Sequence, residues 1–189
     1  MKHRLVLVAG LVAGALPCAA SAQAQFDGYL CCNMRSDGSW ISDGNYAEDG
    51  KRTLPAGTPA KVTGYGRYRV RVELDGSKQA IGNDYSRDLA PEDFARRYVV
   101  SENPADRIAS WPAKVQDAVR QSKVTAGMDR DQVLVSLGYP MHSENPDLDA
   151  PLWRYWLSSF DEFQVQFDDS GRVSDVTAMP TTRNRIWMP

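Results

Sequence analysis

Histidine is scarce in this chain, and its few cysteines all lie near the N-terminus. The 189 residues include 2 histidines and 3 cysteines. Hydrolytic triads and histidine metal sites need a histidine close to a nucleophile or to a second ligand. His3 lies at the extreme N-terminus and His142 lies in a predicted loop, and the chain has no Gly-x-Ser-x-Gly motif. We therefore expect a protein that is not an enzyme and that uses no metal and no cofactor.

Paired carboxylates could still serve a glycosidase without histidine. The candidate aspartates all stand in turn contexts, where Asp commonly serves the backbone geometry. The spacing of Asp37, Asp43 and Asp49 also differs from the alternate-residue ligand pattern of a Ca²⁺ loop. These aspartates are Asp37, Asp43, Asp49, Asp168 and Asp169.

An excess of positive charge is also missing. The chain has 22 Lys and Arg against 24 Asp and Glu, which gives a formal net charge of −2. Nucleic-acid binding usually requires a basic face, so we expect no nucleic-acid partner. The remaining composition is ordinary for a folded protein of one domain or two small ones.

A long apolar run is missing as well. The most apolar segment, Leu5 to Leu16, is shorter than the roughly 20 residues that span a bilayer. It follows a basic start and precedes small residues that end at Ala24, which is typical of a secretory signal peptide over residues 1–24. We therefore expect cleavage near Ala24, a periplasmic or secreted protein, and no transmembrane segment. Lipidation at Cys18 is disfavoured because Pro17 precedes it.

Two adjacent cysteines, Cys31 and Cys32, follow the predicted signal peptide. Consecutive Cα atoms lie about 3.8 Å apart, which is below the usual disulfide range. Several states remain open: two free thiols, one vicinal disulfide that braces the following turn, a Cu(I) site that includes Met34, or redox exchange and an intermolecular bridge.

The first half of the chain has the pattern of β-strands. Residues 61–65 and 67–74 alternate large or β-branched residues with charged ones. In the second run Tyr68, Val70, Val72 and Leu74 share one face, and Arg67, Arg69 and Arg71 share the other. Closely spaced turn signals predict a small antiparallel β-barrel domain over residues 25–98. The arginine face is either solvated or a surface for an acidic partner.

The second half changes to helical periodicity. Ser110 is predicted to cap a first helix, and Asp129 with Gln132 forms the capping box of a second. Three strands follow, at 152–157, 163–167 and 173–179. We expect a short helix at 91–97 and then a linker at 99–110. A two-helix, three-stranded antiparallel α+β domain then spans 111–180, and a tail spans 181–189.

The segment from Val124 to Pro140, VTAGMDRDQVLVSLGYP, is followed by WRYW and FQVQFDDSGRVSDV. Together they resemble the BamE/SmpA/OmlA family of small bacterial envelope domains. The resemblance implies a module of two helices and three strands that makes protein contacts, with a role in outer-membrane assembly in its best-known member. More weakly, the N-terminal half resembles a bacterial Src-homology-3-like barrel, whose relatives bind peptides or cell wall.

Aromatic and arginine side chains are the candidate contacts with a partner, because Trp and Arg often anchor interfaces. Core packing is the alternative explanation for the aromatic residues within a strand. The candidates near the C-terminus are Trp153, Tyr155, Phe160, Arg183, Arg185 and Trp187.

These observations favour a non-catalytic periplasmic binding protein with a role in outer-membrane or cell-envelope assembly and maintenance. Its partner would be another envelope protein or a cell-wall component. An inhibitor or immunity protein for a secreted enzyme or toxin is the alternative. A copper or redox protein that uses Cys31 and Cys32 is a further one.

Overall fold

The structure is a computed structural model that describes residues 24–189. All but the last residue of the predicted signal peptide lies outside the described residues. The described chain is a mixed α+β protein. It has a curled eight-stranded sheet, a separate three-stranded antiparallel sheet and, within residues 24–189, five helices.

The large sheet takes its eight strands from the first half of the chain. Its strands are β1 (Phe26–Leu30), β2 (Met34–Ser36), β3 (Trp40–Ser42), β4 (Arg52–Leu54), β5 (Pro59–Gly66), β6 (Arg69–Leu74), β7 (Ser77–Gly82) and β8 (Val99–Val100). The spatial order is β4-β2-β3-β7-β6-β5-β1-β8. β3 pairs with β7 in parallel, so the prediction of a purely antiparallel arrangement was wrong for this pair. A parallel pair needs a long connection, and the chain provides one through β4, β5 and β6.

The alternation in β6 buries one face of the strand. Val70, Val72 and Leu74 are buried as predicted. Tyr68 was predicted to lie on the same face, but it precedes the strand in the turn after β5. Its φ is +57° and its side chain is 44% exposed. The turn breaks the alternation because a residue with positive φ no longer continues the extended strand.

The segment 99–110, predicted to be a linker, contains regular structure. The predicted short helix is α1 (Pro91–Tyr98), and β8 follows it directly and pairs with β1. Helix α2 (Pro104–Ala109) comes next. Ser110 does not cap the following helix, because it ends α2 and donates its hydroxyl to the Arg107 carbonyl.

The second half contains the remaining elements. They are α3 (Ala113–Arg120), α4 (Arg130–Leu137), β9 (Leu152–Trp156), β10 (Glu162–Phe167), β11 (Val173–Ala178) and α5 (Pro180–Ile186). The capping box of α4 is confirmed, because Asp129 accepts from the Gln132 N–H while the Gln132 side chain accepts from the Asp129 N–H. The three strands form an antiparallel sheet with β10 in the centre, and the inner face of this sheet shares a core with α3 and α4.

The predicted tail is part of this core. Helix α5 buries Ile186, whose carbonyl accepts from the Val124 N–H at 2.8 Å. The Met188 N–H donates in turn to the Val124 carbonyl at 2.8 Å. The C-terminal residues therefore add a short parallel bridge to the segment between α3 and α4.

The two halves of the chain meet at the C-terminal end of α4. A helix leaves its last four carbonyls without partners inside the helix. Here the Leu134 carbonyl accepts from the Gly138 N–H at 2.8 Å, and the Val135 carbonyl accepts from the Asn33 N–H at 2.9 Å. The remaining two accept from asparagine side chains of the first half: Ser136 from Asn33 at 3.2 Å, and Leu137 from Asn45 at 2.7 Å.

The two asparagines are also tied to each other and to α3. The Asn45 amide donates to the Asn33 carbonyl at 2.9 Å, and the Asn33 amide donates to the Val119 carbonyl at 2.6 Å. Both side chains are buried. The first half thus completes the hydrogen bonding of two helices in the second half.

We predict that Asn33→Ala lowers the free energy of unfolding by about 3 kcal/mol, because it leaves buried helix carbonyls without a donor. Urea unfolding followed by tryptophan fluorescence measures this effect. Asn184→Ala is the matched control, since Asn184 is exposed on α5, and we expect a change within about 0.5 kcal/mol. Equal effects of the two substitutions would contradict the role of Asn33.

Candidate functional site

A disulfide joins Cys31 and Cys32, whose Cα atoms lie 3.8 Å apart. Both residues are buried, with 8% and 1% of their surface exposed. The Cys31 N–H donates to the Tyr98 carbonyl at 3.0 Å, and Asn33 follows immediately. The bonded pair therefore leads directly into the junction between the two halves.

The disulfide forms one wall of a cleft of about 300 Å³ between α2 and α4. Arg107 and Asp131 form an ion pair across this cleft at 3.2 Å, and Tyr139 lines it as well. Burial raises the pKa of the Asp131 carboxyl, and the Arg107 charge opposes that rise. The disulfide therefore lies in the wall of this cleft with little of its surface exposed.

Two of the five turn aspartates, Asp37 and Asp168, hold the backbone of their own turns as predicted. Asp43 is buried and accepts instead from the N–H groups of Asp84 and Tyr85, in a distant segment of the chain. Asp37 accepts from the N–H groups of Ser39 and Trp40, and Asp168 accepts from those of Ser170 and Arg172. These hydrogen bonds lower the pKa of both carboxyls. From residue 24 onward, no group of three or more His, Cys, Asp or Glu side chains is arranged to hold a metal ion.

The C-terminal sheet presents apolar side chains at one of its ends. Phe160, in the β9–β10 turn, is 93% exposed, and Met179, just after β11, is 69% exposed. The register pairs Trp156 with Glu162 and Ala178 with Phe163. Trp156, Phe160 and Met179 therefore lie at the same end of the sheet. We call Trp156, Phe160 and Met179 the hairpin-end patch.

Hydrogen bonds fix the turn that carries Phe160. The Leu157 N–H donates to the Asp161 carbonyl at 2.7 Å, and the Ser158 hydroxyl donates to the Asp161 carboxylate at 2.8 Å. The same hydroxyl oxygen accepts from the Phe160 N–H at 3.2 Å. These hydrogen bonds therefore fix the turn from which the Phe160 side chain extends into solvent.

A depression of about 400 Å³ lies beside this turn, and Leu157 forms part of its wall. Arg35 from β2 and Arg185 from α5 line the same depression. They donate to the carbonyls of Asn45 and Ala47 at 3.1 and 3.0 Å. Burial and then the nearby Arg185 charge lower the pKa of the Arg35 guanidinium. Glu48, Asp49 and Lys51 line the same depression, so it carries charges of both signs.

The other predicted contact residues are distributed differently. Trp153 is 0% exposed and Tyr155 is buried beside it, so neither can meet a partner; the strand alternation turns both into the core. Arg183 is paired with Asp175 at 2.7 Å and stacks on the half-buried Trp187. Of the C-terminal candidates, the structure places Phe160 and Arg185 at the hairpin end.

The remaining three arginines are exposed on the large sheet, remote in sequence from the patch. Arg69 and Arg71 lie on β6, whereas Arg67 lies in the preceding turn.

Sequence reasoning missed Met179 and Arg35. The register of the sheet places Met179, one residue beyond Ala178, in line with Glu162 and Trp156. The alternation of side chains along β11 could therefore have indicated Met179. Nothing in the local sequence brings Arg35 to Arg185, because β2 and α5 meet only in the folded chain.

Searches of the chain against protein-family models, curated protein sequences and solved structures found no match.

In the part of the chain that begins at residue 24, none of the helices combines the length and the apolar character needed to cross a bilayer.

We predict opposite outcomes for two aromatic truncations in this sheet. Trp153→Ala should lower the free energy of unfolding by about 3–5 kcal/mol, because it opens a cavity in the core. Phe160→Ala should change it by less than about 0.5 kcal/mol, since Phe160 contacts mainly solvent. Urea unfolding of both variants checks the pair, and a large loss from Phe160→Ala would show that this ring packs in the fold.

We also predict that the protein purified without reductant gains about 2 Da when it is unfolded and reduced, one hydrogen for each sulfur. Intact mass spectrometry measures this shift. A Cys31→Ser, Cys32→Ser double variant is the control and should show no shift. An unchanged mass for the native chain would mean that the two thiols are free.

Proposed function

We propose that this chain is a non-catalytic protein-binding module of the bacterial envelope, with a role in outer-membrane or cell-envelope assembly and maintenance. The observation that carries the proposal is the position of Phe160, a large aromatic side chain held in solvent by a hydrogen-bonded turn. Exposed aromatic side chains on rigid supports are efficient interface anchors, because little conformational entropy is lost when they bind.

The surroundings of Phe160 support an interface of the same kind. Trp156 and Met179 extend the apolar surface along the sheet end. Arg35 and Arg185 provide guanidinium groups beside it. Aromatic residues, Met and Arg are the residue types enriched in protein interfaces, so the composition of this end of the sheet suits a protein partner.

The envelope setting is supported by the sequence. A signal-peptide pattern at residues 1–24 favours export. The order α3, α4, β9, β10, β11 agrees with the resemblance to the BamE/SmpA/OmlA family, whose best-known member acts in outer-membrane assembly. Because one fold can host many functions, the partner has to be identified by experiment.

Site-specific photocrosslinking tests the proposal. A photoreactive phenylalanine analogue replaces Phe160 in the full chain produced in its bacterial host. The control places the same analogue at Lys78, which is exposed on β7 of the other sheet. We expect position 160, and not position 78, to capture a protein of the outer-membrane assembly machinery, because only position 160 lies in the hairpin-end patch. Excess unlabelled protein should compete for this capture, and a Met179→Asp variant should compete at least about tenfold less well.

Other outcomes would contradict the proposal. Capture of a secreted hydrolase or toxin, together with inhibition of that enzyme by the purified chain, would favour the inhibitor or immunity function. Equal capture at positions 160 and 78 would remove the patch as an interface. Steady turnover of a peptidoglycan fragment or an ester, abolished by substitution of one carboxylate, would show that the protein is an enzyme.

A further inference from the structure

A further concave site lies on the large sheet, between the β5–β6 turn and the start of α1. This cleft has a volume of about 270 Å³. Three arginines, Arg67, Arg69 and Arg87, stand around it, and no carboxylate of residues 24–189 lines it. The site shares no residue with the hairpin-end patch.

Stacking on aromatic rings holds the arginines in place. The Cζ atoms of Arg67 and Arg87 lie 5.1 and 4.4 Å from the centroid of the Tyr68 ring, and that of Arg69 lies 5.2 Å from the Trp40 ring. A guanidinium that stacks by its face keeps its N–H edge free to bind an oxyanion. Two like charges beside one tyrosine ring also repel each other, and an anion bound next to them would relieve that repulsion.

The backbone fixes Tyr68 in an unusual conformation. Its φ of +57° is uncommon for a residue with a large side chain. The Tyr68 carbonyl accepts from the Asn83 N–H at 2.9 Å, which ties the turn to the end of β7. Non-glycine residues in this region cluster at ligand sites when the surrounding structure holds them there.

Few carboxylates of the described residues balance the positive charges of these arginines. Within residues 24–189, Arg67 and Arg69 form no ion pair, and Arg87 reaches the Asp84 carboxylate only at 4.0 Å. Asn83 also lines the cleft. Its Oδ1 accepts from the Ser86 N–H at 3.1 Å, which leaves its Nδ2–H₂ group as a donor for a second ligand oxygen.

The floor of the cleft is apolar. Val70, Leu89 and Phe94 line it, and Val70 and Phe94 belong to the buried core of the large sheet. The volume is just below the 300–1,000 Å³ typical of small-molecule sites. The cleft therefore suits one small group that combines an anionic head, an apolar arm and a further carbonyl oxygen.

We propose that this cleft binds the C-terminal carboxylate of a peptide whose last side chain is apolar. The carboxylate accepts from the free N–H edges of Arg67 and Arg87, the apolar side chain rests on Leu89, and the Asn83 amide donates to the carbonyl of the preceding peptide bond. Capture of a chain terminus by positioned donors is a known mode of peptide recognition.

A titration with a matched peptide pair tests this assignment. The probes are acetyl-Ala-Ala-Phe with a free C-terminal carboxylate and the same peptide with a C-terminal amide, added to the ¹⁵N-labelled protein and followed by amide chemical shifts. We expect the free acid to shift residues 66–70 and 83–89 with saturation in the millimolar range or below. The amidated peptide should bind at least about tenfold more weakly, because it lacks the charge that the arginines recognise.

Matched variants locate the effect. Arg67→Ala and Arg87→Ala should each weaken binding of the free acid by about tenfold or more. Arg71→Ala is the control, since Arg71 lies on β6 two residues beyond Arg69 but outside the cleft. All three positions are exposed, so the variants should keep the amide spectrum of the native fold.

Several results would overturn the assignment. Equal binding of the acid and the amide would show that the carboxylate is not recognised. A loss with Arg71→Ala as large as with Arg87→Ala would reduce the effect to general surface charge. Tighter binding of octanoate than of the peptide acid would point to a fatty acid and not to a peptide terminus, and the absence of saturable shifts at millimolar peptide would remove the site.

Discussion

The termination of α4 is the constraint on which the rest of the structure depends. Four carbonyls at the end of this helix need donors in a place that water does not reach. Gly138 supplies one, and Asn33 and Asn45 of the first half supply the other three. Because a buried carbonyl without a donor is costly, the curled sheet and the helical layer are held in one relative position. Hydrogen bonding therefore adds to the apolar contacts between the two cores, in which Tyr139 packs against the core of the large sheet and Ala47 and Ala56 pack against the C-terminal core.

This coupling also determines where surface features meet. Arg35 follows Asn33 by two residues, and its guanidinium reaches the neighbourhood of Arg185 because β2 is docked against the C-terminal unit. The disulfide between Cys31 and Cys32 directly precedes Asn33 at the same junction, and it lines the cleft between α2 and α4. In contrast, the arginine cleft near Tyr68 depends on contacts within the first half alone. The two proposed binding sites therefore rest on different parts of the fold.

Sequence patterns over a few residues predicted the features that depend on contacts between residues close in the chain. The capping box at Asp129 needs only residues three positions apart, and the buried side of β6 follows from strand alternation. Predictions failed where a helix end or a turn interrupted the pattern that the sequence suggested. Ser110 has the side chain of an N-cap but ends α2, and Tyr68 continues an alternating pattern into a turn. Among the candidate contacts, the alternation that places Trp153 and Tyr155 in the core leaves Trp156 on the opposite face, and the turn leaves Phe160 in solvent.

The sequence by itself determined the α+β class, a separate three-stranded sheet near the C-terminus, the start of α4 and the turn duties of Asp37 and Asp168. Each of these depends on side chains within a few positions of one another, where periodicity and capping act directly. Only the tertiary structure decided the parallel pairing of β3 with β7, the packing of the C-terminal residues as α5, and the meeting of Arg35 with Arg185. These depend on segments far apart in the chain, and no short-range pattern encodes which distant donor will satisfy a given buried carbonyl.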